Sequence, residues 1–183
     1  MNNVKKSLIL GIIVGAVAAF VISLIGAQIV QSTSSPEFCA SCHEMKVMYD
    51  TWKAGPHGPD YENGRGVERA KCTDCHLPHG TNVVNYLIAK GISGTKDFVV
   101  HITGAGRVDW QKKLDEPEKY VYVKSCLHCH KNLTDAPGMS EDARESHKEA
   151  FQESKTPNCL ECHDYVGHGE DFSEKLEEFL QKK

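Results

Sequence analysis

The 183-residue chain has no surplus of basic side chains: 21 Lys and Arg stand against 25 Asp and Glu, a formal charge of −4. A main role in binding nucleic acid is thereby excluded, since a phosphate backbone calls for a basic face. Compositional extremes are missing as well. With 25% charged and 40% hydrophobic residues, the chain fits neither a disordered tail nor a multi-span membrane protein. No βαβ alternation is visible, and strands have little support. No cysteine lies outside one repeated motif. What the chain has in excess is eight Cys and ten His, far more than packing alone needs in so short a sequence.

Charge is absent altogether from Leu8 to Val30, a run of 23 residues. As a helix it rises roughly 35 Å, enough to cross a hydrocarbon core of about 30 Å. Its polar exceptions are Ser23 and Gln28, and it has no polar face that would suit a buried globular helix. Lys5 and Lys6 precede it, and no basic residue follows before Lys46. The positive-inside rule then keeps residues 1–7 in the cytoplasm and exports the remainder. A cleaved signal peptide is the competing reading; its apolar stretch is usually only about 7–15 residues and ends in a small-residue exit, which is not clean here. The expected division is therefore a cytoplasmic N-terminus (1–7), a transmembrane anchor (8–30), a Ser/Thr-Pro connector (31–38) and an exported domain (39–183). Residues 31–183 carry 19 basic and 25 acidic side chains, a net −6. An inner-membrane anchor with its domain in the periplasm sets an oxidising environment.

All eight cysteines fall into four C-x-x-C-H motifs: Cys39/Cys42/His43, Cys72/Cys75/His76, Cys126/Cys129/His130 and Cys159/Cys162/His163. This composition yields about 0.02 such motifs by chance, and the pattern is that of c-type haem attachment. Two thiols three residues apart share one turn of chain and can both add to the vinyl groups of one porphyrin. The following His then projects at the iron. Structural zinc in Cys₄ sites is the alternative, but it needs no His after every second Cys. Redox dithiol use calls for a single motif beside a βαβ unit. Four covalent haems are expected. A domain this small cannot enclose four in a conventional core, so the porphyrins must supply much of the apolar interior.

Six His remain for distal ligation: His57, His79, His101, His128, His147 and His168. Low-spin haem usually takes a second His or a Met. His128 lies inside its own attachment loop, badly placed for the far face of that haem. His147 sits in a charged helical segment, either solvated or a ligand. His168 follows the fourth motif too closely to serve its own haem but suits a neighbour. The first motif continues as Cys42-His43-Glu44-Met45. Met45 either fills a packing gap or competes with His43 for the first iron. At most about 3.5 Å per residue separates Val30 from Cys39, so the first haem stays within roughly 30 Å of the bilayer.

The anchor, the four motifs, C-x-x-C-H-x-M in the first and His76-Leu77-Pro78-His79 after the second together resemble the NapC/NirT family, membrane-anchored tetrahaem cytochromes c that oxidise quinol. The likeness covers nearly the whole chain. It is nearest to the small quinol-oxidising subunits of cytochrome c nitrite reductases. It implies Met45 as axial ligand of the first haem with His43 displaced. It also implies His57 as distal ligand of the fourth haem, His168 of the second and His147 of the third, unless a partner residue takes that last place. The stretch Gly58 to Lys71 is longer than the resemblance leads one to expect. A periplasmic multihaem reductase, foremost the ammonia-forming nitrite reductase, is the implied partner, with the lipid and quinol pool on the other side. A nitrate reductase is the alternative partner, and an anchored carrier blind to quinol is the alternative activity.

Quinol oxidation releases two electrons and two protons, so a base must stand beside the first haem near the lipid surface. After the second motif, apolar residues recur at 84, 87, 88, 92, 98 and 99, which is amphipathic helix spacing. Lys90 and Asp97 are two helical turns apart and share one side, as members either of a solvated face or of a site. The resemblance implies Asp97 as proton acceptor and Lys90 as holder of a quinol oxygen. Gly91 and Gly94 weaken the helix by about 1 kcal/mol each, which close approach of a porphyrin or quinol would explain. No acid/base pair in a substrate pocket is evident elsewhere, so no terminal reductase activity is expected of this chain. The expected fold is mainly α: one transmembrane helix, then a loop-rich multihaem domain with helices near 83–100, 140–153 and 171–182. Phe172, Leu176, Phe179 and Leu180 form an apolar stripe on the last.

Overall fold

The computed structural model describes residues 3–61, 66–79, 82–104 and 109–182. Residues 1, 2 and 183 of the expected segments, and residues 62–65 of the long stretch between His57 and Cys72, lie outside these. Nine α-helices occur among the described residues, with three single 3₁₀ turns at His43–Met45, Pro117–Lys119 and Cys159–Glu161, and no strand.

Helix α1 (Asn3–Ser32) is apolar on every side and buries no residue against the protein. Such a helix is stable only when lipid covers it. Ser23 satisfies its hydroxyl by donating to the Ala19 carbonyl at 2.9 Å. At the far end, Thr33 Oγ1 donates to the Ile29 carbonyl at 2.7 Å and Ser34 Oγ to the Val30 carbonyl at 2.6 Å. These hydroxyls take up carbonyls that a helix end leaves unpaired. The connector is almost used up by structure: Ser35 caps a one-turn helix, α2 (Pro36–Cys39), accepting from the Phe38 N–H.

The soluble part is built on α3 (Lys46–Ala54) crossing α9 (Phe172–Gln181). Val47, Met48, Thr51 and Trp52 share the buried face of α3. Leu176 of α9, 2% exposed, closes the cluster with Val47 and Met48, and Met45, Phe172 and Phe179 pack around it. The apolar stripe expected on the last helix thus has its partner, except that Leu180 stays 41% exposed. Trp52 Nε1 donates to the Ala70 carbonyl at 2.9 Å, tying α3 to the approach of the second motif. Helices α4 (Cys72–His76) and α7 (Val123–Cys129) lie together. Ser125 stitches them, donating to the Leu77 carbonyl and accepting from the His79 N–H, each at 3.1 Å.

Helix α6 (Trp110–Asp115) is one and a half turns; α5 and α8 are long and capped. Asn82 accepts from the Asn85 N–H at the start of α5 (Val83–Thr103), and Gly104, at φ 59°, ends it in the left-handed region. Ser140 caps α8 (Glu141–Glu153) by accepting from the Ala143 N–H. Three expected helices therefore stand, the first of them three residues longer than expected. A Cβ at Gly91 or Gly94 would meet nothing within 4 Å, so no protein contact requires those glycines.

Six apolar side chains are buried among the described residues: Pro36, Val47, Met48, Trp52, Leu77 and Leu176. A domain of this size normally buries far more. The interior is thin where the four motifs converge, as bound haem would require. Leu176→Ala is expected to cost about 2–5 kcal/mol, read as a lowered denaturation midpoint of the detergent-solubilised holoprotein.

Candidate functional site

Each motif places its two cysteines on one turn. Cys72 and Cys75 lie in α4, Cys126 and Cys129 in α7; Cys39 ends α2, and Cys159 opens a 3₁₀ turn capped by Cys162. None of the eight is in a disulfide. The motifs also meet one another. The Cys39 thiol lies near that of Cys72, and the Cys126 thiol near that of Cys159.

The histidines then sort themselves by distance. His76 faces His168 with ring centroids 6.4 Å apart, His130 faces His57 at 6.1 Å, and His163 faces His147 at 6.1 Å. An imidazole nitrogen lies about 2 Å from a bound metal, so two rings sharing one metal have centroids about 6.3 Å apart. The three pairs have that spacing. Their orientation agrees. His76 Nδ1 lies 2.8 Å from the Tyr120 carbonyl, His168 Nδ1 3.0 Å from that of Met48, His57 Nδ1 3.0 Å from that of Val166, and His147 Nδ1 2.7 Å from that of Ala143. A donating Nδ1–H fixes the tautomer and leaves Nε2 as the ligating atom. Burial pushes the His168 imidazole down to about 4, so it is neutral near pH 7, the form that binds iron. A slot between His76 and His168 is lined by Trp52, Cys72, Cys75 and Gly167. The residues present fit covalent haem with two histidines per iron at these three sites.

This geometry exchanges two expected partners. His57 faces the third motif's His130 rather than the fourth's His163, and His147 faces His163 rather than His130. The cause is the turn after α3. The His57 ring is fixed by Val166, from the loop beyond the fourth motif, and lands on the third. That turn is tight: a Cβ on Gly58 would lie 2.1 Å from the Trp52 carbonyl oxygen. His168 faces His76 of the second motif.

The first motif is built differently. His43 Nε2 lies 3.1 Å from one oxygen of Glu44, and the other oxygen lies 3.0 Å from His101 Nδ1. His43 and His101 are 5.8 Å apart, nearly edge to face, with that carboxylate engaging both. The nitrogen that would bind iron is thus engaged by Glu44. Met45, in the adjoining 3₁₀ turn, is half-buried against the α3/α9 cluster. Sequence reasoning counted His101 without a role and passed over Glu44. The available signal was that His101 lies one turn beyond Asp97 on the same face. His79 and His128, also unassigned, stand 6.1 Å apart beside Tyr86 and Asp74.

Helix α5 runs past this first motif. Lys90 Nζ donates to the Thr33 carbonyl at 2.8 Å and to Ser34 Oγ at 2.9 Å, at the end of α1. Burial lowers the Lys113 ammonium below its usual range. Lys90 thus holds the chain where it leaves α1, His101 reaches Glu44 beside the first motif, and Asp97 lies between them on the same stripe of α5.

An unburied apolar helix followed by four attachment motifs and facing imidazoles defines a membrane-anchored multihaem c-type cytochrome. The chain belongs to the NapC/NirT cytochrome c family, whose N-terminal region matches residues 1–172. It is 32% identical over 140 residues to the cytochrome c-type protein NrfH of Wolinella succinogenes, covering 75% of this chain and 70% of that one. The tetraheme c-type cytochrome CymA of Shewanella oneidensis is 31% identical over 181 residues, 91% of this chain and 90% of its own. The cytochrome c-type protein TorY of Haemophilus influenzae is 32% identical over 185 residues, but this chain spans only 45% of it. No solved structure gives a significant match.

His57→Ala and His147→Ala are each expected to convert one low-spin haem to a high-spin, carbon-monoxide-binding one with covalent haem content unchanged. The double variant converts two, because the residues face different motifs. Electron paramagnetic resonance of the oxidised protein and carbon monoxide difference spectra check this.

Proposed function

We propose that this chain is an anchored quinol dehydrogenase subunit that passes electrons to a periplasmic reductase. The observation that supports it most is that α5 binds the end of α1 through Lys90 and Glu44, beside the first motif, through His101, with Asp97 between them on the same stripe. Residues 1–7 lie in the cytoplasm, 8–30 span the membrane, 31–38 connect, and 39–183 form the haem domain in the periplasm. The eight motif cysteines would hold four haem c groups, with His76, His130 and His163 on one side of three irons and His168, His57 and His147 on the other. The first haem would be held by Met45, since Glu44 engages the His43 nitrogen.

Bound haem supplies one-electron acceptance. The protein supplies the rest. A quinol reaching the end of α1 from the lipid would find the Lys90 ammonium, which can turn from Thr33 and Ser34 to donate to a quinol oxygen. The exposed Asp97 carboxylate accepts the proton released as the quinol is oxidised and returns it to water; two such transfers accompany each two-electron oxidation. A base at this position is of no use to a carrier that never meets quinol.

The acceptor proposed is the ammonia-forming cytochrome c nitrite reductase. NrfH supports it by overall likeness; relatives of similar identity with other names keep a nitrate-reducing partner in view.

Asp97→Asn is expected to lower the rate of reduction by a quinol analogue by about 10²–10⁴-fold while dithionite still reduces every haem. Undiminished quinol oxidation would remove Asp97 as the proton acceptor, and no quinol oxidation by the unsubstituted protein would leave only the carrier reading. Intact mass after denaturation should show four covalently retained haems. An unmodified mass from a host with working haem maturation would return the motifs to zinc or thiol chemistry.

A further inference from the structure

Helix α5 has two sides, and only one is accounted for. Tyr86, Lys90, Asp97 and His101 form a single stripe, and all reach the chain just after the anchor. Tyr86 Oη lies 3.5 Å from Ser34 Oγ, Lys90 binds Thr33 and Ser34, Asp97 acts on Cys39, and His101 pairs with Glu44. The helix therefore lies alongside residues 33–44. The apolar run of α1 ends at Val30, so Ser34 stands about one helical turn beyond the hydrocarbon.

The opposite side of α5 is apolar and uncovered. Val84, Ile88, Ile92, Val99 and Ile102 lie on it and are 48–65% exposed. The charged residues of the helix are Lys90 and Asp97 on the tethered stripe and Lys96 at the far margin. An apolar face pinned at the depth of the headgroups, flanked by a tyrosine and a lysine, has the pattern of an interfacial helix.

We propose that α5 is a second membrane-binding element, lying in the plane of the bilayer with Val84, Ile88, Ile92, Val99 and Ile102 seated at the headgroup–acyl boundary. The surface is continuous with the lipid-covered anchor, which favours lipid over a protein occupant. The inference does not depend on the quinol reading: a pure carrier would dock its haems against the membrane in the same way.

The test uses the full-length holoprotein in phosphatidylethanolamine/phosphatidylglycerol nanodiscs holding one copy each. Native thiols are consumed by haem attachment, so an introduced cysteine is the free thiol. Ile88→Cys faces the proposed lipid and Lys96→Cys the solvent side; haem staining confirms that both fold. Modification by a bulky water-soluble maleimide is expected to be about tenfold slower for Ile88→Cys than for Lys96→Cys. Val99→Cys should follow Ile88→Cys. Equal rates in single-copy discs would overturn the proposal. So would protection of Ile88→Cys that arises only with two copies per disc, or only on adding a reductase, which would assign the face to a protein.

Discussion

Facing imidazoles at metal-sharing distance are the constraint on which the exported part of this protein depends. Three pairs bring together segments that are remote in sequence: His57 with the third motif, His147 with the fourth, and His168 with the second. Both rings of one pair, and one ring in each of the others, take their orientation from a backbone carbonyl: His76 from Tyr120, His168 from Met48, His57 from Val166, His147 from Ala143. The helices position the carbonyls, and the carbonyls aim the rings. Side-chain packing alone does little of this, because the apolar cluster among the described residues is small and joins α3 and α9 with α6 and Met45 at its edge.

The first motif breaks the pattern in a way that suits a different task. Its histidine is drawn to Glu44 and neighbours His101 on α5. The same helix sends Lys90 to the end of the anchor. One element therefore joins the membrane exit, the first attachment site and the proposed proton acceptor. An iron with two protein ligands on a rigid axis is suited to passing electrons, while a site with one weaker ligand and a nearby carboxylate can admit a substrate.

Much of this is legible in the residues. The anchor is plain from an uncharged run, and the attachment sites from a spacing that covalent haem requires. Helices α5, α8 and α9 show as apolar periodicity or as capped, charged segments long enough to carry a signal. Short helices such as α4, α6 and α7 do not, because pieces of five to seven residues owe their stability to what they pack on. The pairing of His57 and His147 was legible only as membership in a set of candidates. Their partners are decided by a tight turn at Gly58 and by contact with a loop more than a hundred residues on. Glu44 and His101 were hidden for the same reason: neither means anything until α5 is laid across the first motif.

The thinness of the interior has a consequence for the life of the molecule. Six buried apolar side chains cannot hold the chain beyond the anchor in one shape against its conformational entropy. Before its prosthetic groups are attached, that part of the chain is an open substrate for proteases. Its abundance in the cell is then governed by iron and porphyrin supply and by the attachment machinery as much as by transcription, and a cell starved of iron would clear this cytochrome without any dedicated signal.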